Sequence, residues 1–204
     1  MTEYYIQQDD KIVLHDTDRV RLQNTLPFMP QYAGLPILET EEEIVTINNE
    51  FYFKDDKLVE LAELEKQKLI TKLYEIKAAK AYGGIIVNDQ LVFETNQISI
   101  TNTVATLALM SDEGTTNWKF YTVTGIPMIQ EITKTELYGL ANFGQHMINQ
   151  CFAVEGSFNG QLQLATVEQL NDETWIEGFI GRAQTAMDAV NNHITVEFNQ
   201  AEAE

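Results

Sequence analysis

The residue types that most often carry out chemistry are few in this sequence and lie far apart. Its three histidines, His15, His146 and His193, fall in different predicted elements, and none has a partner at metal-ligand spacing. Its single cysteine, Cys151, lies on the apolar face of a predicted helix, where an inert buried thiol is the expected state. One cysteine also excludes an internal disulfide. We therefore expect no metal site and no thiol chemistry.

Two short segments imitate catalytic motifs without completing them. Asp16 and Asp18 lie beside His15 and could form a carboxylate pair, but acid–base catalysis needs burial or a charged neighbour to shift a pKa. An exposed turn is the simpler interpretation. The segment Gly156–Gly160 is flanked by glycines but lacks the lysine of a phosphate-binding loop. We expect no catalytic residues and no cofactor, and hence a chain that is not an enzyme.

The charge of the chain limits the partners that it can bind. It has 31 Asp and Glu residues against 13 Lys and Arg, which gives a net charge of -18. This balance argues against nucleic acid, whose binding proteins carry a basic stripe, and against an anionic membrane surface. No apolar run approaches the roughly 18 residues that span a bilayer, and no secretory signal is visible at the N-terminus. We expect synthesis in a cytoplasm, and the acidic balance favours solubility or a basic partner.

The first part of the chain is predicted to be rich in β-structure and to lead into a long helix. Hairpins are predicted over residues 4–14 and 44–53, where β-branched and aromatic residues flank Asp and Asn turns. Residues 16–24 alternate between apolar and polar side chains, which favours a short strand over a capped helix. A helix without glycine or proline covers residues 56–82 and ends at Gly83-Gly84.

The second part is predicted to combine antiparallel hairpins with three helices. Thr133 and Glu136 form a capping-box pattern that opens the middle helix, whose end Gly156 and Gly160 are expected to loosen. The last four residues, AEAE, are predicted to be frayed. The other predicted elements are a hairpin over 85–93, helices over 100–110 and 172–191, and strands over 118–123, 128–132 and 193–198.

These elements predict an α+β fold in three parts. Residues 1–55 form a small β-rich N-terminal domain, residues 56–82 a long connecting helix, and residues 83–204 a C-terminal domain of antiparallel hairpins packed with three helices.

One stripe of the connecting helix is a candidate surface for a partner or for self-association, with a trimer as the favoured homo-oligomer. The stripe is too short and too irregular for a coiled coil, which requires three or four clean heptads. Packing on its own domain and a role as a spacer are the alternatives. The candidate surface comprises Leu58, Leu61, Lys66, Lys68, Leu69, Leu73 and Ile76.

A series of short motifs runs from residue 69 to residue 173. A charged helix ends in small residues at Ala78–Gly84, and a hairpin follows it. The segment Thr95–Ser99 then leads into a helix. A tryptophan strand at Trp118, the capping pattern at Thr133 and the segment Thr166–Leu170 complete the series.

On these motifs, about half of the chain resembles the family known as domain of unknown function 4376, which occurs in tail and tail-fibre-associated proteins of tailed phages. The sequence departs from the family pattern in two places. Asn96 stands where an aspartate is common, and a further helix and strand follow the end of the pattern. The family implies no catalytic residues.

The resemblance implies a structural or accessory protein of a bacteriophage tail, in a baseplate, fibre or adaptor. Such a protein would be made in the host cytoplasm, would be located in the virion tail and would contact other tail proteins. A tail-fibre assembly chaperone that is absent from the mature virion is the alternative. A cell-wall-degrading enzyme is a third interpretation, for which the sequence offers no carboxylate pair or metal constellation.

Overall fold

The computed structural model describes residues 1–198, so the predicted frayed end, Ala201–Glu204, lies outside the described residues. The fold is mixed α+β, with 54% helix and 23% strand, as predicted. The chain divides into two compact units. The first unit comprises residues 1–67 and 166–173, and the second comprises residues 68–165 and the chain from 174 onwards. The predicted domain boundaries at residues 55 and 82 stay predictions.

The first unit is built on a five-stranded antiparallel sheet with the strand order β3-β1-β2-β5-β4. Its short helix α5 joins it from far along the chain, since the Asn171 side chain donates a hydrogen bond of 3.0 Å to the Leu58 carbonyl. The elements of this unit are β1 (Glu3–Gln8), β2 (Lys11–Asp16), α1 (Arg19–Thr25), β3 (Leu38–Thr40), β4 (Ile44–Ile47), β5 (Glu50–Phe53), the first half of α2 (Lys54–Tyr82) and α5 (Val167–Leu170).

The second unit contains a second five-stranded sheet, with the order β10-β6-β7-β8-β9, and helices that cover it. Its strands pair antiparallel except for β10, which pairs parallel with β6. Besides the second half of α2, its elements are β6 (Ile85–Val87), β7 (Leu91–Phe93), α3 (Gln97–Leu109), β8 (Thr115–Thr122), β9 (Pro127–Thr133), α4 (Lys134–Leu164), α6 (Glu173–Asp188) and β10 (His193–Ile194).

Three hairpins turn on pairs of Asp and Asn residues, as the sequence predicts. Asp9-Asp10, Asn48-Asn49 and Asn88-Asp89 all have positive φ angles, between 49° and 67°. A two-residue hairpin turn of this kind requires positive φ at both central positions, which Asn and Asp tolerate better than other residues with a side chain. These pairs therefore fix the register of each hairpin.

The predicted strand over residues 16–24 is wrong, because this segment forms the helix α1. The Asp18 side chain accepts hydrogen bonds from the amides of Val20 and Arg21, at 2.9 and 3.3 Å. This N-terminal cap outweighs the alternating pattern, which would bury Val20 and Leu22 together. In the helix only Leu22 is buried, while Val20 is 63% exposed.

Helix α4 begins as predicted but extends well beyond its predicted end. Its capping box is complete, since the Thr133 hydroxyl accepts from the Glu136 amide and the Glu136 carboxylate accepts from the Thr133 amide. Gly156 and Gly160 do not loosen it. Each costs a helix about 1 kcal/mol relative to alanine, but the buried Phe158 among other side chains offsets that cost.

The end of the described chain completes the second sheet. The predicted strand over 193–198 is hydrogen-bonded in a ladder only at His193–Ile194. The Asn88 side chain donates to the Val196 carbonyl and accepts from the Val196 amide, both at 2.8 Å. Phe198 then packs edge-on against Phe120, at 5.7 Å between ring centroids.

The core of the second unit lies between the sheet and α2, α4 and α6. The apolar face of α4 points into it, because residues three and four apart share one side of a helix, and α6 contributes Met187. Its buried side chains are Ile76, Ala81, Ile85, Val87, Phe93, Phe120, Ile132, Leu137, Leu140, Met147, Ile148, Cys151, Met187 and Val190.

The end of α2 is held by a threonine that follows the next hairpin. The Thr95 hydroxyl donates to the Ala81 carbonyl at 2.8 Å and accepts from the Gly84 amide at 3.1 Å. Gly84 has a φ of +95°, and a Cβ there would come within 2.7 Å of the Val92 side chain. Asn96, and not Thr95, caps α3, by accepting from the Ser99 amide at 2.9 Å.

Replacing Thr95 by valine removes both hydrogen bonds but keeps the shape of the side chain. The buried Ala81 carbonyl and Gly84 amide lose a partner, so we expect the free energy of unfolding to fall by about 1–3 kcal/mol. Thr185→Val is the matched control, because its hydroxyl bonds the Gly181 carbonyl at an exposed position. Urea denaturation followed by circular dichroism measures both variants. Equal unfolding free energies would contradict the role of Thr95.

Candidate functional site

The structure places the three histidines in three separate environments. His15 pairs with Glu3, at 2.5 Å from Nε2 to Oε2, and both side chains are largely buried. His193 contacts the Asp89 carboxylate at 3.0 Å on the surface, and His146 is exposed on α4. Among residues 1–198, no group of three or more His, Cys, Asp and Glu residues is arranged to hold a metal ion.

The Glu3–His15 pair was not predicted, because the two residues are twelve positions apart. The antiparallel pairing of β1 and β2 brings them together, with His15 opposite Tyr5. Asp16 and Asp18, which could have formed a carboxylate pair beside His15, have local roles instead. Asp16 accepts from the Asp18 amide at 2.9 Å, and Asp18 caps α1. Each acid thus stabilises the turn that precedes a helix.

Lys77 is a buried cation inside the second unit, with only 4% of its surface exposed. Its ammonium group lies 3.1 Å from the Glu155 carboxylate. It also lies 4.3 Å from the ring centroids of Tyr74 and Phe152. A carboxylate and two aromatic faces together compensate the charge of a lysine out of water. Lys77 therefore joins α2 to α4.

The stripe predicted as a contact surface on α2 is partly enclosed by the chain itself. Leu69, Leu73 and Ile76 are buried, at 2%, 3% and 7% exposure. For these three residues the structure favours the alternative, which is packing on their own domain. Of the remaining members, Leu58, Leu61 and Lys66 are half-buried and Lys68 is exposed. A partner contact through these four residues stays a prediction.

A cavity of about 410 Å³ lies between the β2–β5 strands and the start of α2 in the first unit. Its walls carry the aromatic rings of β5 and several carboxylates. Lys57 occupies part of it, since the ammonium lies 4.3 Å from the Tyr52 ring centroid and 2.9 Å from the Glu60 carboxylate. The Tyr52 hydroxyl donates to Glu50. Lys57, Glu60, Tyr52 and Glu50 are thus engaged with one another in the wall of this cavity.

The most distinctive surface of the molecule is formed by α3 and the first half of α4. The sequence has no Asp, Glu, Lys or Arg from Thr95 to Ser111, and none from Leu137 to Val154. A segment as long as the first would carry about four charges at the chain average of 22%. We call the exposed part of this surface the α3–α4 face, which comprises Ile98, Thr101, Val104, Ala105, Ala108, Leu109 and Tyr138.

The large side chains of the α3–α4 face are far more exposed than apolar residues usually are. Ile98 is 73% exposed, Val104 62%, Leu109 88% and Tyr138 58%. Scattered single residues of this kind are ordinary, but a contiguous set on one face marks an interaction site. Since α3 is apolar on its inner side as well, through residues such as Leu107, it resembles a helix that is covered on both sides.

A groove runs along the face between the two helices. Two cavities, of about 230 and 690 Å³, share Val104, Leu107 and Tyr138 as walls. At one end of the groove, Lys134 donates to the Met110 carbonyl at 2.9 Å and pairs with the Asp112 carboxylate at the same distance. Among the residues that line this end of the groove, Lys134 and Asp112 are the only charged ones, and their charges neutralise each other.

A second uncharged surface lies at the tip of the β8–β9 hairpin. From Phe120 to Gln130 the sequence carries no charge. Val123, Ile126 and Ile129 are 57%, 61% and 64% exposed. β9 is the last strand of its sheet, so the tip also offers unpaired backbone groups, which Pro127 at the start of β9 reduces by one.

Comparisons with protein-family models, with curated protein sequences and with solved structures found no match to this chain. The family resemblance of residues 69–173 therefore rests on its motifs. In the structure these motifs mark the ends of elements: Gly84 follows α2, Asn96 caps α3, Thr133 opens α4 and Thr166 opens α5. Within residues 1–198, the helices all lack the length of apolar sequence that a bilayer crossing requires.

Lys77→Met tests the structural role of the buried lysine. The substitution leaves the Glu155 carboxylate without its cation in a largely dry site, so we expect a loss of about 3 kcal/mol of unfolding free energy. Lys72→Met is the matched control on the same helix, since Lys72 pairs with Glu75 at 3.0 Å in water. That exposed pair contributes at most about 1 kcal/mol. Urea denaturation measures both variants. Similar losses of unfolding free energy would show that the buried Lys77–Glu155 pair stabilises the fold no more than an exposed pair does.

Cys151 is fully buried, and burial raises the pKa of its thiol. Because only the thiolate reacts, we expect native protein at about pH 8 to react very slowly with Ellman's reagent. The same protein in concentrated guanidinium chloride should release one equivalent of the coloured product within minutes. Rapid reaction of the native thiol would contradict the placement of Cys151 in the core.

Proposed function

We propose that this chain is a structural or accessory component of a bacteriophage tail, in a baseplate, fibre or adaptor, and that it acts through protein–protein contacts of its α3–α4 face. The observation that carries the proposal is the absence of charge from this face in a chain of net charge -18. The cores of protein interfaces are depleted of charged residues and enriched in aromatic and apolar ones. The assignment to a tail rests on the resemblance of residues 69–173.

Electrostatics supports a protein partner for this face. Most of the surface repels acidic molecules, and repulsion is weakest where charge is absent. Nucleic acid and anionic membranes require basic side chains, and the α3–α4 face has none. An apolar protein surface needs no opposite charge, and it gains free energy from burying Ile98, Val104, Leu109 and Tyr138.

The β8–β9 tip supports a role in an assembly as well. A component that contacts more than one neighbour needs more than one such surface, and the tip is a second surface without charge. Together with the resemblance of residues 69–173, this second surface leads us to infer that the chain is synthesised in the host cytoplasm and reaches the virion tail by binding other tail proteins.

Quantitative mass spectrometry of purified particles tests this proposal. We expect the chain in particles at a fixed ratio to the major tail protein, and Leu109→Glu to lower that ratio severalfold by placing a charge on the face. Leu164→Glu is the matched control, since both leucines are the last residues of their helices and are 88% and 85% exposed. A chain that is abundant in the lysate but absent from particles would overturn the proposal and favour an assembly chaperone.

A further inference from the structure

We infer that the α3–α4 face binds the same face of a second copy, so that the chain forms a dimer with two-fold symmetry. The inference rests on the proposed function, because it uses the same face. It identifies a second copy of the chain as the partner of that face. Two observations carry it: the distribution of charge over the chain, and the order of side chains along α3.

The charge of the chain favours a second copy over a different protein. A different partner can carry opposite charge, and an acidic protein would then gain affinity by placing its carboxylates at the interface. Two copies both carry -18, so they repel wherever charged surfaces meet. They can approach closely only through a surface that is free of charge. The α3–α4 face meets that condition along the whole of α3.

The side chains of α3 form a row that is complementary to itself. Ile98, Thr101, Ala105 and Leu109 follow one another at intervals of three or four residues, which places them on one side of the helix, and all four are exposed. Their order is large, small, small, large. The row reads the same in size from either end and spans about 16 Å of helix.

When two α3 helices pack antiparallel, this row of side chains lies against the same row of the other copy. A two-fold axis near residue 103 places Ile98 of one copy against Leu109 of the other, and Thr101 against Ala105. The small central residues let the helix axes approach to the lower part of the usual 8–10 Å range. A two-fold interface requires one patch to fit itself, and this order of side chains does so.

The neighbouring residues extend the contact area. Val104 and Ala108 lie beside the row, and Tyr138 of α4 lies at the edge of the groove. A standard interface buries about 800 Å² on each partner, and one helix with its flanks reaches the lower part of that size class. We therefore expect a dissociation constant on the order of micromolar.

The dimer should become tighter as salt is added. An apolar interface between two acidic copies loses affinity to long-range repulsion, and salt screens that repulsion over a Debye length of about 10 Å at 0.1 M. An interface held by ion pairs has the opposite dependence. The direction of the salt effect therefore distinguishes the inferred dimer from association through charged surfaces.

Sedimentation velocity on the full chain, at about 0.05 M and about 0.5 M salt, tests the inference. We expect a particle of twice the 23.2 kDa chain mass, with a larger dimer fraction at high salt. Leu109→Glu should raise the dissociation constant by about 100-fold, because symmetry places the substitution in the interface twice. Ala105→Glu, a second exposed position, should have the same effect, while Leu164→Glu should leave the dimer unchanged.

Three results would overturn the inference. The first is a monomer at both salt concentrations, and the second is a dimer that weakens with salt. The third is an oligomer of any size that neither Leu109→Glu nor Ala105→Glu disturbs, with circular dichroism confirming that both variants fold. A monomeric chain that is present in particles would leave the proposed function intact. A dimeric chain that is absent from particles would overturn the proposed function alone.

Discussion

The hydroxyl group of Thr95 links the end of α2 to the start of the second sheet. It satisfies the Ala81 carbonyl at the end of α2 and the Gly84 amide at the entrance to β6. Its methyl group faces α4, where a Cβ on Gly144 would come within 3.2 Å of it. Asn96, the residue after Thr95, caps α3. The position of Thr95 therefore also affects where α3 begins beside α4. One buried side chain thus contacts the end of α2, the entrance to β6 and α4.

The distribution of charge decides what this geometry can do. A net charge of -18 discourages contact with acidic surfaces of any kind. Where cations are buried they are compensated locally, as Lys77 is by Glu155 and two aromatic rings. α3 carries no charge on either side, so its inner side packs on α4 while its outer side leaves Ile98 and Leu109 in water. Covering that outer side would remove the two side chains from water and so gain free energy.

Local patterns in the sequence predicted most of the elements, because their causes are local. The Asn88-Asp89 turn, the capping box at Thr133 and the end of α2 at Gly83-Gly84 each involve residues a few positions apart. Prediction failed where one local signal outweighed another, as the Asp18 cap did over an alternating pattern, and where distant packing carried α4 through Gly156 and Gly160. The α3–α4 face was missed, although the gap in charge from Thr95 to Ser111 is visible in the sequence. Which apolar residues of α3 face water could not be predicted, since Ile98 and Leu109 are as apolar as Ile100 and Leu107, and only packing distinguishes the exposed pair from the half-buried one.

Hydrogen–deuterium exchange of the purified chain at low and high protein concentration tests most directly that the α3–α4 face is where this molecule makes its contact. The amides of α3 lie in a single exposed helix, so covering its outer side should slow their local opening. We expect exchange over residues 97–109 to slow as concentration rises, while exchange over α2 and α6 stays the same. Exchange that is independent of concentration, or protection that appears on α2 instead of α3, would contradict it.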